Sequence, residues 1–253
     1  MFVGLFVLKV TFFFNSRGDI QVPYRRLPKT DTARLKALKT LLDNNDTYTV
    51  RERFIDWKTI NKAQPAYDKL LTASEQYKVN LKAQTRFTGK IDKLQKNAMM
   101  YLSHFLQVLF LAVERGEIKR SCLALYGLDE EASAVPHLKT IDGLLDWGQK
   151  IIAGEKARLK QGGRPIYNPT IGMVSTHYDI YCEVIERQRI LQDRVNDSIE
   201  KLRLLRPAVD EVILDLWNQI EHHFLNEPPE TRFNHCREYG IVYYYRRHEP
   251  HIY

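Results

Sequence analysis

The stretch that decides the fold spans residues 77–112 and reads YKVNLKAQTRFTGKIDKLQKNAMMYLSHFLQVLFLA. Its apolar residues recur three and four positions apart, and the same frame extends back to Ile60, with twelve of its sixteen positions apolar. A second stretch, from Val174 to Ile220, keeps this spacing at eleven of fourteen positions. A repeat of about 3.5 residues held over this length is typical of helices that pack along a coiled-coil-like seam.

The polar residues and prolines of the two stretches predict how the two helices pair. If the helices run antiparallel and their residue numbers sum to about 278 across the seam, Gln84 and Gln95 face the neighbourhood of Gln192 and Gln188. The same register places Pro65 near Pro207, and a proline inside a helix bends it. We therefore expect two long, kinked helices that pack antiparallel.

The charge distribution favours the same pairing. Residues 51–115 carry 12 Lys or Arg against 6 Asp or Glu, whereas residues 169–227 carry 6 against 11. We expect a basic row on the first helix to flank an acidic row on the second, which would cancel much of the net charge of +7. The basic row is Lys78, Lys82, Arg86, Lys90 and Lys93, and the acidic row is Glu183, Glu186, Asp193, Asp197 and Glu200.

Two shorter helices accompany the long pair. Start and stop signals predict a helix from Thr30 or Asp31 to about Asn44, with Leu35, Leu38 and Leu42 as its buried stripe. A second helix is expected over residues 140–160, where two glycines follow. Residues 230–238 are compatible with one further short helix.

Strand signals occur near both ends of the chain. Residues 20–24 and 241–245 are rich in β-branched and aromatic residues, and we expect these two segments to pair, with Pro23 confining the first to an edge. The predicted fold class is all-α: an elongated antiparallel helical bundle with two long kinked helices, two shorter helices and a minor terminal β element. Residues 20–253 are predicted to form a single domain.

The first nineteen residues need a separate interpretation. Met1–Phe14 is apolar but is shorter than the roughly 20 residues that a membrane-spanning helix requires, and it lacks the basic start and small-residue cleavage site of a signal peptide. An atypical signal or anchor and a hydrophobic edge strand remain alternatives. We interpret residues 1–19 as extraneous or disordered, and we expect no membrane association.

Signatures of catalysis and cofactor binding are missing from the sequence. No Glu-x-x-His, G-x-S-x-G, phosphate-binding glycine loop or dinucleotide fingerprint occurs. The only candidates are a metal site at His222, His223, His235 and Cys236 and an acid–base cluster around His177, and each is better explained by packing. We predict no catalytic residue, no metal and no cofactor. Three widely spaced cysteines indicate a reducing, cytoplasmic location.

A basic, tyrosine-rich patch is the one candidate binding site that the sequence indicates. Pairing of the terminal strands would bring together cations and aromatic rings, which suit phosphates and stacked bases. A solvated strand edge protected by arginines is the alternative explanation. The patch comprises Arg25, Arg26, Lys29, Tyr243, Tyr245, Arg246 and Arg247.

Three short motifs carry a resemblance to a group of proteins. They read YLSHF at Tyr101–Phe105, leading to RGE at Arg115–Glu117; PIYNP at Pro165–Pro169; and EYGIVY at Glu238–Tyr243. In these motifs the chain resembles uncharacterised bacterial helical-bundle proteins with no assigned activity, from about Val22 to Arg247. The resemblance implies a helical bundle that begins near Val22, and it implies no residue role.

The function that the sequence favours is a non-enzymatic structural or protein-interaction helical bundle. Self-association would be one way to cover large apolar residues that two helices cannot bury alone. The alternative function is nucleic-acid binding through the basic, tyrosine-rich patch.

Overall fold

The computed structural model describes residues 23–45, 54–245 and 247, and its architecture is an all-α bundle with a two-stranded antiparallel sheet. Residues 1–19, interpreted above as extraneous, lie outside the described residues. The elements in chain order are β1 Tyr24–Arg25, α1 Asp31–Asn45, α2 Trp57–Glu114, a 3-10 helix Arg120–Tyr126, α3 Ile141–Lys160, α4 Ile171–His223, α5 Pro229–Glu238 and β2 Tyr243–Tyr244. None of the helices among these residues is long and apolar enough to cross a bilayer.

The chain divides into two compact units. Of the described residues, those up to Leu71 and from Leu204 onward form the first unit, and Thr72–Arg203 forms the second. Both α2 and α4 contribute a part to each unit, whereas α3 and the 3-10 helix belong to the second unit alone. We predicted that residues 20–253 form a single domain and that the bundle is elongated. Both statements concern how the two units are arranged, so they stay predictions.

Within the second unit, α2 and α4 run antiparallel in the predicted register. The residue numbers of contacting pairs sum to between 276 and 278, so the pairing is confirmed there. Polar contacts across the seam support this register, above all the bond to the buried Ser198. The contacts are Asn80 to Ser198 at 2.7 Å, Gln84 to Gln192, Gln188 to Thr88 at 3.2 Å, and the Tyr101 ring stacked 4.0 Å from that of His177.

Within the first unit, the same two helices pair with nearly the same offset. The Thr59 hydroxyl donates to Asp215 over 2.8 Å, and Pro65 shares a surface depression with Ala208, the residue after Pro207. The two prolines therefore lie at similar heights, as predicted. Neither proline ends its helix.

The core of the second unit lies at the end where α3 joins the pair. Phe105 of α2, Tyr181 of α4 and Leu144 of α3 are fully buried together there. Gly148 permits the close approach of α3, because a Cβ at this position would lie 2.2 Å from Cε2 of Tyr178. The Thr140 hydroxyl accepts a hydrogen bond from the Gly143 amide and so caps α3 at the predicted start.

The 3-10 helix Arg120–Tyr126 was not predicted, and it supports a buried ion pair. Glu155 and Arg158 of α3 are both buried, and their side chains pair through two hydrogen bonds of 2.9 and 2.7 Å. The Tyr126 hydroxyl donates to the same carboxylate. Burial and the neighbouring carboxylate raise the pKa of Tyr126 well above its ordinary range.

In the first unit, α1 begins at the predicted residue and is capped by the Thr30 hydroxyl, which accepts from the Ala33 amide. Its buried face differs by one position from the predicted stripe, because Leu38 and Leu41 are buried while Leu35 and Leu42 are only half-buried. Arg34, four residues before Leu38, lies on the same buried face of α1. Its guanidinium donates to both carboxylate oxygens of Asp210, over 2.7 and 2.8 Å.

The terminal strands pair as predicted. Tyr24 lies opposite Tyr244 and Arg25 opposite Tyr243, and the Arg26 amide donates to the Val242 carbonyl over 2.7 Å. Residues 20–22, the start of the predicted first strand, lie outside the described residues.

Candidate interaction surfaces

The predicted basic, tyrosine-rich patch is partly neutralised by one carboxylate. Arg25 donates to Glu221 over 2.8 Å and to the side-chain oxygen of Asn218 over the same distance. The Tyr243 hydroxyl donates to the other oxygen of Glu221 over 2.7 Å. Burial and Glu221 raise the pKa of Tyr243 well above its ordinary range. Arg25 and Tyr243, two of the seven predicted patch residues, are therefore bound to side chains of α4.

The remaining patch residues divide between different surroundings. Arg26 and Lys29 are exposed and line a groove with Lys36 and Arg237, two cations that the sequence did not indicate. Tyr245 is half-buried and Arg247 is exposed. Arg246 lies outside the described residues, so its place in the patch stays a prediction.

The predicted cancellation of the two charged rows is wrong. Across the described residues, no ion pair joins the basic row of α2 to the acidic row of α4. For the members of the rows that lie two residues from a seam position the reason is angular, since two residues along a helix turn it by about 200°. Arg86 lies two residues from the seam position Gln84, and Asp197 lies two residues from Val195, so these side chains point away from the partner helix.

Acidic residues of α4 pair instead with arginines of the same helix. Glu200 accepts two hydrogen bonds of 2.8 Å from Arg203, which lowers the pKa of the Glu200 carboxyl. Glu186 lies 4.0 Å from Arg189. All five cations of the basic row stay exposed, without an ion pair in the part of the chain that the structure describes.

One side of the α2–α4 pair in the second unit is uncovered. Leu81 and Ile199 occupy seam positions of the repeat, yet 38% of Leu81 and 42% of Ile199 remain exposed. On the opposite side, the buried Ser198 bonds to Asn80. Val195, Ser198 and Leu202 are buried, so the surface of α4 that contacts α2 lies on the Ser198 side of Ile199 and leaves Ile199 at its edge. We call the surface between Leu81 and Ile199 the open groove.

The open groove lies in line with α3. Gln95, two heptads after Leu81 on α2, donates to the Lys139 carbonyl just before α3 over 3.1 Å. Tyr178, three heptads before Ile199 on α4, donates to the Leu145 carbonyl within α3 over 2.7 Å. Because equivalent heptad positions share one side of a helix, α3 covers the same side further along. Nothing else in the described part of the second unit buries Leu81 and Ile199.

Among the described residues, cations without an ion pair line the α2 edge of the open groove, whereas the cations on its α4 edge pair with glutamates of the same helix. Lys78 lies three residues before Leu81, and Lys82 follows it directly, both exposed. Arg189 and Arg203 stand at the corresponding flanking positions of α4, one residue after the seam positions 188 and 202. Gly89, further along the Leu81 side of α2, has open space where a side chain would project. The groove therefore offers aliphatic side chains, a close approach to the backbone and a positive rim along α2.

The sequence candidates for metal binding and acid–base chemistry are packed or paired. His223 stacks on Phe54 with ring centroids 3.9 Å apart, and His235 lies 2.8 Å from a Glu227 carboxylate oxygen. His177 stacks on Tyr101. Among the described ranges, no three His, Cys, Asp or Glu side chains converge as a metal site would require.

Comparison with known proteins identifies no relative of this chain. No family model, curated protein or solved structure matches the chain. The resemblance to bacterial helical-bundle proteins therefore stays a prediction.

Proposed function

We propose that this protein is a non-catalytic interaction protein, and that the open groove of its second unit binds an acidic amphipathic helix of a partner. The observation that carries the proposal is the exposure of Leu81 and Ile199 at seam positions that α3 covers further along the same pair. A helix placed end to end with α3 would complete a three-helix arrangement there.

The charge of the rim supports an acidic partner. Lys78 and Lys82 have no carboxylate partner among the described residues, so a bound helix with Glu or Asp at its edges would supply one. Complementary charge of this kind selects the partner and its orientation more than it adds affinity. The apolar contact contributes the affinity, at about 25 cal/mol per Å² of apolar surface removed from water.

A second copy of the chain fits the groove less well than a separate acidic partner. The acidic residues of α4 alternate with arginines, and Glu186 and Glu200 already pair with Arg189 and Arg203. Nucleic-acid binding through the terminal patch is also less well supported, because Arg25 and Tyr243 are engaged by Glu221. A cytoplasmic location remains part of this proposal, supported by three cysteines that are all free thiols.

A model peptide tests the proposal before any partner is identified. The probe is a synthetic amphipathic helix with leucine at two seam positions of each heptad and glutamate on its flanks, compared with the same peptide carrying lysine on its flanks. Fluorescence anisotropy should show saturable binding of the glutamate peptide only. Changing Leu81 and Ile199 together to lysine should weaken binding at least tenfold, since each change places a charge where an apolar contact forms.

The chain offers a matched control for this double variant. Val79 and Ile190 are exposed aliphatic residues on the outer faces of the same helices, 62% and 46% exposed, and changing both to lysine should leave binding intact. Equal loss in the two double variants, or equal binding of the lysine peptide, would refute the proposal. Light scattering that shows a dimer abolished by the Leu81 and Ile199 changes alone would assign the groove to self-association instead.

A further inference from the structure

A groove of about 400 Å³ lies in the first unit, whereas the open groove belongs to the second. We call it the basic groove. Its walls are the segment that links β1 to α1, one face of α1, and the residues between α5 and β2. Pockets that hold small molecules have volumes of about 300–1,000 Å³, so the basic groove is large enough for one small ligand.

The local backbone explains why the basic groove exists. Gly240 follows α5 with a φ of +87°, a conformation that glycine adopts without strain, and a Cβ there would lie 3.2 Å from the Cβ of Thr40. This close approach seats α1 against the chain before β2. The hydrogen bond between the Arg26 amide and the Val242 carbonyl closes the other wall.

Four cations line the basic groove, and no carboxylate does. Arg26, Lys29, Lys36 and Arg237 are all exposed at its rim. Arg237 donates only to the neutral side chain of Asn234 among the described residues, and the other three have no side-chain partner there. Four like charges around one concavity raise the local concentration of anions.

The floor of the basic groove is apolar. Ala37, Trp217 and Ile241 form it, and all three are buried beneath the surface. Only 1% of Trp217 is exposed, so its indole offers an edge and no open face on which a base could stack. No Asn, Gln, Asp or Glu side chain lines the groove to bond the edges of a base. These features disfavour nucleotides and favour a ligand that is apolar apart from its charge.

We propose that the basic groove binds a single-chain anionic amphiphile, with its carboxylate or phosphate head held by Arg26, Lys29, Lys36 and Arg237 and its hydrocarbon part on Ala37, Trp217 and Ile241. Charge-assisted hydrogen bonds fix the head group, and burial of the hydrocarbon supplies the remaining affinity. The site is independent of the open groove.

Tryptophan fluorescence tests this proposal directly. The full chain with Trp57 and Trp147 changed to phenylalanine retains Trp217 as its only tryptophan, because the sequence contains three. An ω-bromo fatty acid of medium chain length should quench Trp217 in a saturable manner, since bromine quenches an indole that it contacts. Changing Lys36 and Arg237 together to glutamate should weaken this binding at least tenfold.

Further experiments distinguish the contribution of the anionic head group from that of the hydrocarbon tail, and they test other sources of the anion. Changing Lys90 and Lys93 of the second unit to glutamate alters the net charge equally and should leave quenching unchanged. An ω-bromo alcohol of the same length should bind at least tenfold more weakly than the acid. Unlabelled alkyl phosphate should displace the bromo acid, whereas inorganic phosphate, ATP and a mixed oligonucleotide should not.

Several outcomes would overturn the proposal. They are the absence of saturable quenching, equal quenching by the alcohol, and equal loss in the two charge-reversal variants. Displacement by ATP or the oligonucleotide at concentrations where alkyl phosphate has no effect would show that the groove is a nucleotide or nucleic-acid site. Binding to vesicles of anionic phospholipid without binding of the free fatty acid would replace a single-ligand site with a membrane-surface site.

Discussion

Replacing Glu155 with glutamine is expected to destabilise the second unit by about 3–5 kcal/mol, the cost of removing one partner of a buried ion pair. Only 1% of Glu155 is exposed, and its carboxylate is the sole anion hydrogen-bonded to the Arg158 guanidinium among the described residues. Glutamine keeps the shape of the side chain, so little packing is lost. The variant leaves the buried charge of Arg158 without a counterion.

The assay is urea denaturation followed by far-UV circular dichroism. Changing Lys150 to glutamine is the control, because it breaks the Lys150–Asp146 pair on the same helix, where both side chains are about half exposed. Exposed pairs contribute at most about 1 kcal/mol, so this control should stay within that range of the wild type. A total stability of about 5–15 kcal/mol makes the difference between the two variants easy to measure.

A triple variant distinguishes loss of charge pairing from loss of packing. The side chains of Glu155, Arg158 and Tyr126 bond to one another in this cluster. Changing Glu155 and Arg158 to methionine and Tyr126 to phenylalanine removes all three polar groups. Replacing all partners of a buried ion pair with apolar groups costs little or stabilises. The reasoning is refuted if the glutamine variant loses less than about 1 kcal/mol, or if the triple variant is less stable than the single one.

Three further predictions concern other residues. Gly148→Ala should destabilise the second unit by about 1–3 kcal/mol in urea denaturation, because the added methyl overlaps the ring of Tyr178. Gly240→Ala should cost the first unit about 1–2 kcal/mol, because its φ of +87° disfavours any side chain. The hydrogen bonds from Arg206 hold the pKa of Asp31 below its ordinary value, so the pair stabilises the folded state fully above about pH 4 and loses this contribution as the pH falls through the folded-state pKa. Asp31→Asn should therefore be less stable than the wild type by about 1 kcal/mol at neutral pH, with the difference disappearing in acid.

Each of these three predictions has an outcome that contradicts it. A Gly148→Ala variant as stable as the wild type would mean that α3 does not approach α4 so closely. Unchanged stability of Gly240→Ala would argue against the left-handed backbone at that turn. A difference between Asp31→Asn and the wild type that grows below pH 4 would have the wrong sign for a lowered carboxyl pKa.

Sequence periodicity predicted the elements and their register because those features depend on local spacing. The capping residues Thr30 and Thr140 mark the starts of α1 and α3, and the matching of polar positions and prolines between the two repeats predicted the antiparallel offset that the Asn80–Ser198 contact confirms. The terminal strands followed from their β-branched and aromatic composition. These features require no knowledge of distant packing.

Features that depend on tertiary contacts were not predictable in the same way. Burial of Glu155 depends on Tyr126, which lies in a 3-10 helix that carries no periodic signal. Burial of Arg34 depends on Asp210, far away in the sequence. The error over the charged rows was different, since the two-residue spacing of Arg86 from the seam already indicated an outward direction.

The candidate sites could be predicted only in part from the sequence. Arg26 and Lys29 were predicted to bind anions, but Lys36 and Arg237 join them only through the turn at Gly240. Exposure of Leu81 and Ile199 was not predicted, because both residues occupy ordinary seam positions of the repeat and only the extent of α3 leaves them uncovered.

Thiol cross-linking between α2 and α4 tests the central claim most directly, because both the fold and the open groove depend on the antiparallel register. The three native cysteines are first changed to alanine, and then Asn80 and Ser198, which are joined by a 2.7 Å hydrogen bond, are changed to cysteine. A short bis-maleimide should cross-link this pair within one chain. A control pair at Asn80 and Glu183, about 22 Å apart along the helix at 1.5 Å per residue, should stay unlinked. Cross-linking of the control pair in place of the Asn80–Ser198 pair would contradict the register and the open groove with it.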